Sequence, residues 1–169
     1  MTATTGPTGL TEAVLPHPKA VRDLLEGLLG RTVDLKPQDS WTPGPYEPVC
    51  VAEMRADDGH LLAVVALDLA LTVYVGAAIG LAPAGGAQDM VKGQDPSPMI
   101  LANTVEVLNV LSAAWNVGDN PHTRLGPVHQ PGQALPTRLE ELLAAVGRRE
   151  DLRVDVAGYG SGSLALVAV

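Results

Sequence analysis

Phenylalanine is absent from this chain of 169 residues, aromatic residues make up only 3% of it, and cysteine occurs once. The hydrophobic core must therefore be built mainly from alanine, valine, leucine and isoleucine. A single cysteine excludes an internal disulfide and suggests no cysteine-based metal site. That residue, Cys50, lies in the apolar run PVCVAEM, and we expect it to be a buried, unreactive thiol.

Lysine is nearly as scarce, and the formal net charge is -8 with a pI of about 4.8. Neutralising the phosphates of a nucleic acid requires clustered lysines and arginines. The densest basic spot is Arg148–Arg149, and it is followed directly by Glu150 and Asp151. The charge pattern therefore predicts no nucleic-acid partner.

No basic stretch precedes an apolar one near the N-terminus, so the sequence shows no signal peptide. The one long apolar run, Leu61–Ala82, is about long enough to span a bilayer. Asp68 interrupts it, and an aspartate near a membrane centre costs about 2.5–3.5 kcal/mol on insertion scales. We interpret the run as a strand followed by a helix that Asp68 caps, and we expect no membrane partner and a cytoplasmic location.

Length and composition, with 46% hydrophobic and 18% charged residues, indicate one globular domain. We expect residues 1–13 to form a disordered tail and residues 14–169 to form the domain. The first half predicts two helices, a short strand, a loop and a hairpin. In chain order these are the helix Pro18–Leu29, the strand Thr32–Leu35, the loop Pro37–Pro48, the hairpin of Pro48–Ala56 with His60–Leu67 through Asp57-Asp58-Gly59, and the helix Leu69–Leu81.

The second half alternates helices with strands in the same way. In chain order the predictions are a flexible loop over Pro83–Ser97, a helix over Pro98–Asn116, a strand over Arg124–Gln130, a helix over Leu135–Val146, and a hairpin of Leu152–Tyr159 with Ser163–Val169 across Gly160–Gly162. Hairpins separated by helices are typical of the α+β class. We therefore predict a mainly antiparallel sheet covered by helices.

Most residues that often carry chemistry form no recognisable site. The four histidines lack the i,i+4 spacing of a helical metal site, and no motif marks a hydrolytic nucleophile. The glycines at 158, 160 and 162 do not open a helix, as a dinucleotide-binding loop must, and fit a hairpin turn. No residue cluster supports an enzyme acting on a small molecule.

One polar row stands out on the predicted helix Pro98–Asn116. Its members are Asn103, Glu106, Asn109, Ser112 and Asn116. Residues three or four apart are neighbours on a helix surface, so the row could simply be the solvated side of an amphipathic helix. However, asparagine is a poor helix former, and the rest of this helix is almost wholly apolar. The pattern Glu-x-x-Asn can present a carboxylate beside a carboxamide, which together could grip a lysine and orient a water molecule.

The order of elements around this motif resembles the CheC/CheX/FliY family of response-regulator phosphatases, most closely its CheX-like branch. The resemblance covers roughly residues 16–169. It includes the first helix, the strand-to-helix run DDGHLLAVVALDLALTVYVGAAIGL, the helix carrying Glu106-Val107-Leu108-Asn109 and the closing hairpin RVDVAGYGSGSLALVAV. It implies a CheX-like α+β fold.

The resemblance also implies a function, the hydrolysis of the aspartyl phosphate of a CheY-like receiver domain in chemotaxis or two-component signalling. Asn109 would orient the attacking water, and Glu106 would pair with the receiver's lysine. The chain would need no cofactor of its own, since Mg²⁺ would sit on the receiver, and it would form a homodimer. Three neighbours depart from the family's pattern: Ala102 stands where an acidic residue or serine is usual, Leu108 where glycine or another small residue is usual, and Ala113 where glycine is common. The alternative is a CheX-like module that binds a partner or dimerises without catalysis.

Overall fold

A computed structural model of the chain describes residues 12–169. Their elements are, in order, α1 (Pro18–Leu29), β1 (Val33–Pro37), β2 (Val49–Ala56), β3 (Leu61–Asp68), α2 (Leu69–Ile79), α3 (Ala84–Gly93), α4 (Pro98–Leu111), a 3-10 helix (Ser112–Trp115), β4 (Thr123–His129), α5 (Thr137–Ala144), β5 (Arg149–Val156) and β6 (Gly160–Ala168). The six strands form one antiparallel sheet in the order β1-β5-β6-β3-β2-β4. The predicted α+β class is confirmed.

The strand order contains an internal symmetry. Exchanging β1, β2 and β3 with β4, β5 and β6 reproduces the same order read from the other edge. A helix precedes each half, and both α1 and α4 begin with a proline, which suits the first helical turn. The domain is therefore two interleaved three-strand units, in which α1 and α4 hold equivalent places and contact each other.

The two faces of the sheet are covered unequally. One face carries the main core, packed by α1, α2 and α4. The opposite face carries a smaller apolar cluster, formed by side chains of β2, β3 and β6 with α5 and Trp41. Helix α2 is buried along almost its whole length, which places it between the sheet and α4. Helix α4 therefore lies in the outer layer of the domain, packed on α2.

Several predicted elements are confirmed closely. Helix α1 has the predicted bounds, and Gly30 ends it in the left-handed conformation with φ 66°. The predicted first hairpin is the antiparallel pair β2–β3. Asp68 caps α2 as expected, because its Oδ1 accepts a hydrogen bond from the Leu71 N–H at 2.8 Å. Cys50 is fully buried, and burial raises the pKa of its thiol to about 12.

The prediction of a flexible loop over Pro83–Ser97 was wrong. Residues 84–93 form α3, whose Ala87 is 1% exposed against the main core. Its Gln88 side chain donates a hydrogen bond to the Tyr159 carbonyl at 3.1 Å. The segment AGGAQDMVKG has weak helix propensity because of its glycines, so tertiary contacts rather than local sequence stabilise this helix.

The predicted turn of the last hairpin was also misplaced. Residues 157–159 form the turn, and Gly160 and Gly162 lie in β6. A Cβ at Gly162 would lie 2.6 Å from the backbone nitrogen of Leu71, and one at Gly160 would lie 2.9 Å from the Tyr74 ring. Glycine at these two positions therefore lets α2 pack closely against β6. The sequence had suggested instead that the glycines form the hairpin turn.

The remaining bounds differ by a few residues. Helix α5 is shorter than predicted at both ends, and the long central helix changes to a 3-10 turn after Leu111. Residues 1–11 of the predicted tail lie outside the described residues. Ala13, its last residue, is 3% exposed, and its carbonyl accepts a hydrogen bond from Arg148 at 2.5 Å.

Candidate functional site on helix α4

Helix α4 is fixed on α2 by an unusually close contact. A Cβ at Gly76 of α2 would lie 2.4 Å from the Ile100 carbonyl oxygen and 2.6 Å from the Thr104 hydroxyl. The absence of a side chain at Gly76 therefore lets the two backbones approach. The Thr104 hydroxyl donates to the Thr72 carbonyl at 2.6 Å, and the Asn103 amide donates to the Gly76 carbonyl at 3.1 Å. This contact sets which face of α4 points outward.

The polar row runs from α4 through the 3-10 helix to Asn116, and its members differ in the partners of their side chains. Asn103 is a packing residue, because its amide bonds to the backbone of α2. Ser112 is 8% exposed, and its hydroxyl donates to the Asn109 carbonyl at 2.6 Å at the helix end. Asn116 accepts a hydrogen bond from the Thr123 N–H at 2.9 Å and so connects the helix to β4. These three side chains have structural partners.

Glu106 and Asn109 differ from the rest of the row. Both are exposed, and within residues 12–169 neither side chain makes a hydrogen bond or an ion pair. They lie three residues apart, so they are neighbours on the outer surface of α4. A carboxylate that accepts hydrogen bonds thus stands beside a carboxamide that both accepts and donates, on a helix anchored from behind. The arrangement leaves both groups available to a partner.

The residues that depart from the family pattern do not obstruct this face. Leu108 is fully buried, so it packs inward and does not stand between Glu106 and Asn109. Ala102 and Ala113 are exposed but small. Two larger apolar side chains are exposed elsewhere on α4, Met99 at 72% and Val110 at 36%. The outer face of α4 is consequently a mixed surface of two polar groups, small residues and two apolar side chains.

The equivalent helix α1 offers no second copy of the pair. Counted from the initial proline of each helix, Glu26 corresponds to Glu106, and Leu29 corresponds to Asn109. Glu26 accepts a hydrogen bond from the Val33 N–H at 3.1 Å, and Leu29 is 4% exposed. The described residues therefore present the pair once, on α4 alone.

The histidines are engaged in other contacts. His60 bonds to Asp58, His122 to Asp57 and His129 to Glu53. Hydrogen bonds from the histidines lower the pKa of Asp57 and contribute, after a backbone hydrogen bond, to lowering that of Asp58. Across residues 12–169 no group of three or more histidine, cysteine or acidic side chains is placed to hold a metal ion.

Sequence reasoning missed two buried charged groups. Glu53, 6% exposed, lies on β2 between Arg55 and His129 and is in hydrogen-bond contact with both. Arg149 and Asp151, on β5, form an ion pair at 2.7 Å with side chains only 6% and 5% exposed. The only sequence signal for the second group is the set of charged residues along β5, at positions 149, 150, 151, 153 and 155, and it does not distinguish a buried ion pair from a solvated face.

Three solved structures share this architecture. A chain of the FliM–SpeE complex from H. pylori matches at a TM-score of 0.57 and 8% identity, over 89% of this chain and 80% of that one. The FliM middle domain from Vibrio alginolyticus matches at 0.53 and 12% identity, over 88% and 86%. FliY from Thermotoga maritima matches at 0.53 and 12% identity, over 87% and 81%. The chain has the fold of the CheC/CheX/FliY family.

Comparison of whole sequences identifies no relative of this chain. No protein-family model matches the chain, and no curated protein matches it by sequence. The structures of the FliM middle domain and of FliY are nevertheless matched over most of both chains. Within the part of the chain that the structure describes, no helix is long and apolar enough to cross a bilayer.

Proposed function

We propose that this protein is a CheX-like phosphatase that hydrolyses the aspartyl phosphate of a CheY-like receiver domain. The observation that supports the proposal is the exposed, uncommitted pair of Glu106 and Asn109 on a helix anchored from behind by α2. The fold that this chain shares with FliY also supports the proposal.

Hydrolysis of the aspartyl phosphate would require only positioning and one ion pair from Glu106 and Asn109. Phosphoryl transfer depends mainly on positioning and electrostatics, and the receiver would supply the Mg²⁺ and a lysine. Asn109 would hold the attacking water in line with the phosphorus, so that its contribution is an effective-molarity effect. Glu106 would pair with the receiver's lysine. An exposed pair of this kind contributes about 0–1 kcal/mol, so its main role is register and partner choice.

The test measures phosphate loss from phosphorylated receivers of the same organism, with and without this protein. Asn109→Ala should lower the rate by about 10²-fold while binding persists, because the amide acts in the transition state. Glu106→Ala should weaken docking and rate together, by up to about fivefold. Glu141→Ala, a change of an exposed acid on α5, is the matched control and should leave both unchanged.

The second candidate is a module that docks on a partner without catalysis. The exposed Met99 and Val110 favour it, because apolar contacts on this face would support binding whether or not water is aligned. The same assay separates the two proposals. A folded protein that binds a receiver but accelerates dephosphorylation of none of them, with Asn109→Ala behaving as the parent does, would establish the second and exclude the first.

We also propose that the protein is a homodimer joined through the free edge of β1. The other edge strand, β4, is interrupted inside the strand by Pro127 and by a register shift, and proline cannot donate to a ladder. The proline of β1, Pro37, is instead its last residue. Antiparallel pairing of two β1 strands about Leu35 would place Asp34 of each copy opposite Lys36 of the other, which is favourable. Both side chains are exposed.

Light scattering should give twice the monomer mass of 17.5 kDa. Lys36→Glu should dissociate the dimer, because it places four carboxylates at the junction, and adding Asp34→Lys should restore it by reversing both charges. A monomer mass for the parent protein at high concentration would exclude this edge as an interface.

A further inference from the structure

A cleft of about 700 Å³ lies far from α4, on the side of the sheet that carries α5. One wall is the loop 42–48 that leads into β2, and the other is formed by residues 132–135 and α5. Pockets for small molecules in proteins are typically about 300–1,000 Å³ and mostly apolar. The cleft has a suitable size, and the proposed phosphatase site does not use it.

Both walls are fastened to the same buried ion pair. Arg149 donates to the Trp41 carbonyl at 2.9 Å and to the Leu143 carbonyl at 2.8 Å. Asp151 accepts a hydrogen bond from the Trp41 N–H at 2.9 Å, and the Thr42 hydroxyl donates to the Leu143 carbonyl at 3.2 Å. A buried ion pair is costly to desolvate, and here it fixes the loop and the end of α5 at a set distance. The cleft is therefore pre-formed.

The lining combines apolar surface with charge of one sign. Its residues include Val49, Leu135 and Leu143, together with the prolines of the loop. Glu47 and Glu140 are its charged members, and no lysine, arginine or histidine lines it. Within residues 12–169 the Glu140 carboxylate makes no ion pair, whereas one oxygen of Glu47 accepts from the Gly44 N–H. An apolar cleft with negative charge and no cation is complementary to a positively charged ligand with an apolar body.

An exposed aromatic residue stands at the rim of the same cleft. Tyr46 lines the cleft and is 96% exposed, whereas tyrosine is on average intermediate in burial. The face of an aromatic ring attracts ammonium and guanidinium groups. Tyr46 therefore adds a second preference for a cation to that of the two carboxylates.

We propose that this cleft binds a small organic cation, an ammonium or guanidinium group attached to an apolar body. The apolar body would lie against Leu135 and Leu143, and the cation would lie between Glu47 and Glu140 with Tyr46 over it. This site is independent of the α4 face, because the sheet separates them.

The test uses three probes of similar size that differ in charge, namely phenethylammonium, 3-phenylpropanol and 3-phenylpropionate. Binding to the full chain is followed by amide chemical shifts, which also locate the site. We expect the ammonium probe to bind at least tenfold more tightly than the other two. Its shifts should map to residues 42–49 and 132–144 and leave α4 unchanged.

Three variants at exposed positions complete the test. Glu140→Gln should weaken binding of the ammonium probe about tenfold, and Ala134→Trp should abolish it by filling the cleft. Glu141→Gln removes the adjacent acid of α5, which does not line the cleft, and should have no effect. Equal binding of all three probes, shifts elsewhere, absence of binding or an equal effect of the two glutamate variants would each overturn the proposal.

Discussion

Replacing Gly76 with alanine should separate α4 from α2. The new Cβ would lie 2.4 Å from the Ile100 carbonyl oxygen, whereas ordinary contacts begin at 3.4 Å, so the helices must move apart by about 1 Å (3.4 minus 2.4). The hydrogen bond from Thr104 to Thr72, now 2.6 Å, would then stretch beyond bonding distance. The structure predicts a loss of both packing and hydrogen bonding.

The change in the free energy of unfolding is the sum of three contributions. Overpacking of this kind costs about 1–3 kcal/mol, and the loss of one or two hydrogen bonds costs about 1 kcal/mol each. Alanine in a helix interior is more stabilising than glycine by about 1 kcal/mol, which offsets part of this loss. We therefore expect Gly76→Ala to lower the free energy of unfolding by about 2 kcal/mol, measured by urea denaturation.

Gly27→Ala is the matched control. Gly27 lies inside α1, and a Cβ there would meet nothing within 4 Å, so this change should stabilise the protein by about 0.5–1 kcal/mol. The two variants thus have opposite expected signs for the same chemical change. If Gly76→Ala and Gly27→Ala stabilise the protein equally, the close contact of α2 and α4 is refuted. The contact would then not explain why Glu106 and Asn109 point outward.

Two further predictions concern buried charges. Burial raises the pKa of the Asp68 carboxyl, although hydrogen bonds from the Leu71 and Ser163 backbones act to lower it. The protonated carboxyl therefore contributes fully to stability below the pKa that Asp68 has in the unfolded chain. This contribution is lost as the pH rises through its pKa in the folded protein. Relative to Asp68→Asn, the parent protein should lose stability as pH rises from 3.5 to 7 in urea titrations; a constant difference would contradict the raised pKa. Arg149→Ala should lower the free energy of unfolding by about 3–5 kcal/mol, because it leaves Asp151 buried and unpaired, whereas Arg138→Ala, at an exposed position, should cost less than about 0.5 kcal/mol in the same assay.

The elements that sequence predicted well have local signals. Helix α1 has an apolar face, a proline at its start and Gly30 at its end, and these features need no knowledge of the rest of the fold. The β2–β3 hairpin likewise has its turn residues between two apolar runs. Helix α3 lacked such signals, since its stability comes from contacts of Ala87 and Gln88 with distant residues.

The candidate site was predicted in part for the same reason. Periodicity placed the polar row of α4 on one stripe, but it could not distinguish its three asparagines. Asn103 is turned toward α2 and Asn116 toward β4, while Asn109 has no partner among the described residues. Only the tertiary structure supplies the acceptors and donors that occupy the first two. The inward position of Leu108 also depends on the packing of α4.

The two proposed sites rest on different supports on opposite sides of the sheet. The α4 face depends on the contact at Gly76, and the cleft depends on the ion pair of Arg149 with Asp151. Effects of changes at distant sites without shared partners usually add to within about 0.3–0.5 kcal/mol. Gly76→Ala should therefore alter dephosphorylation without changing binding of the ammonium probe, and Arg149→Ala should do the reverse in the fraction that stays folded. Since α4 and the cleft share no side chain, occupancy of one gives no physical reason for a change at the other.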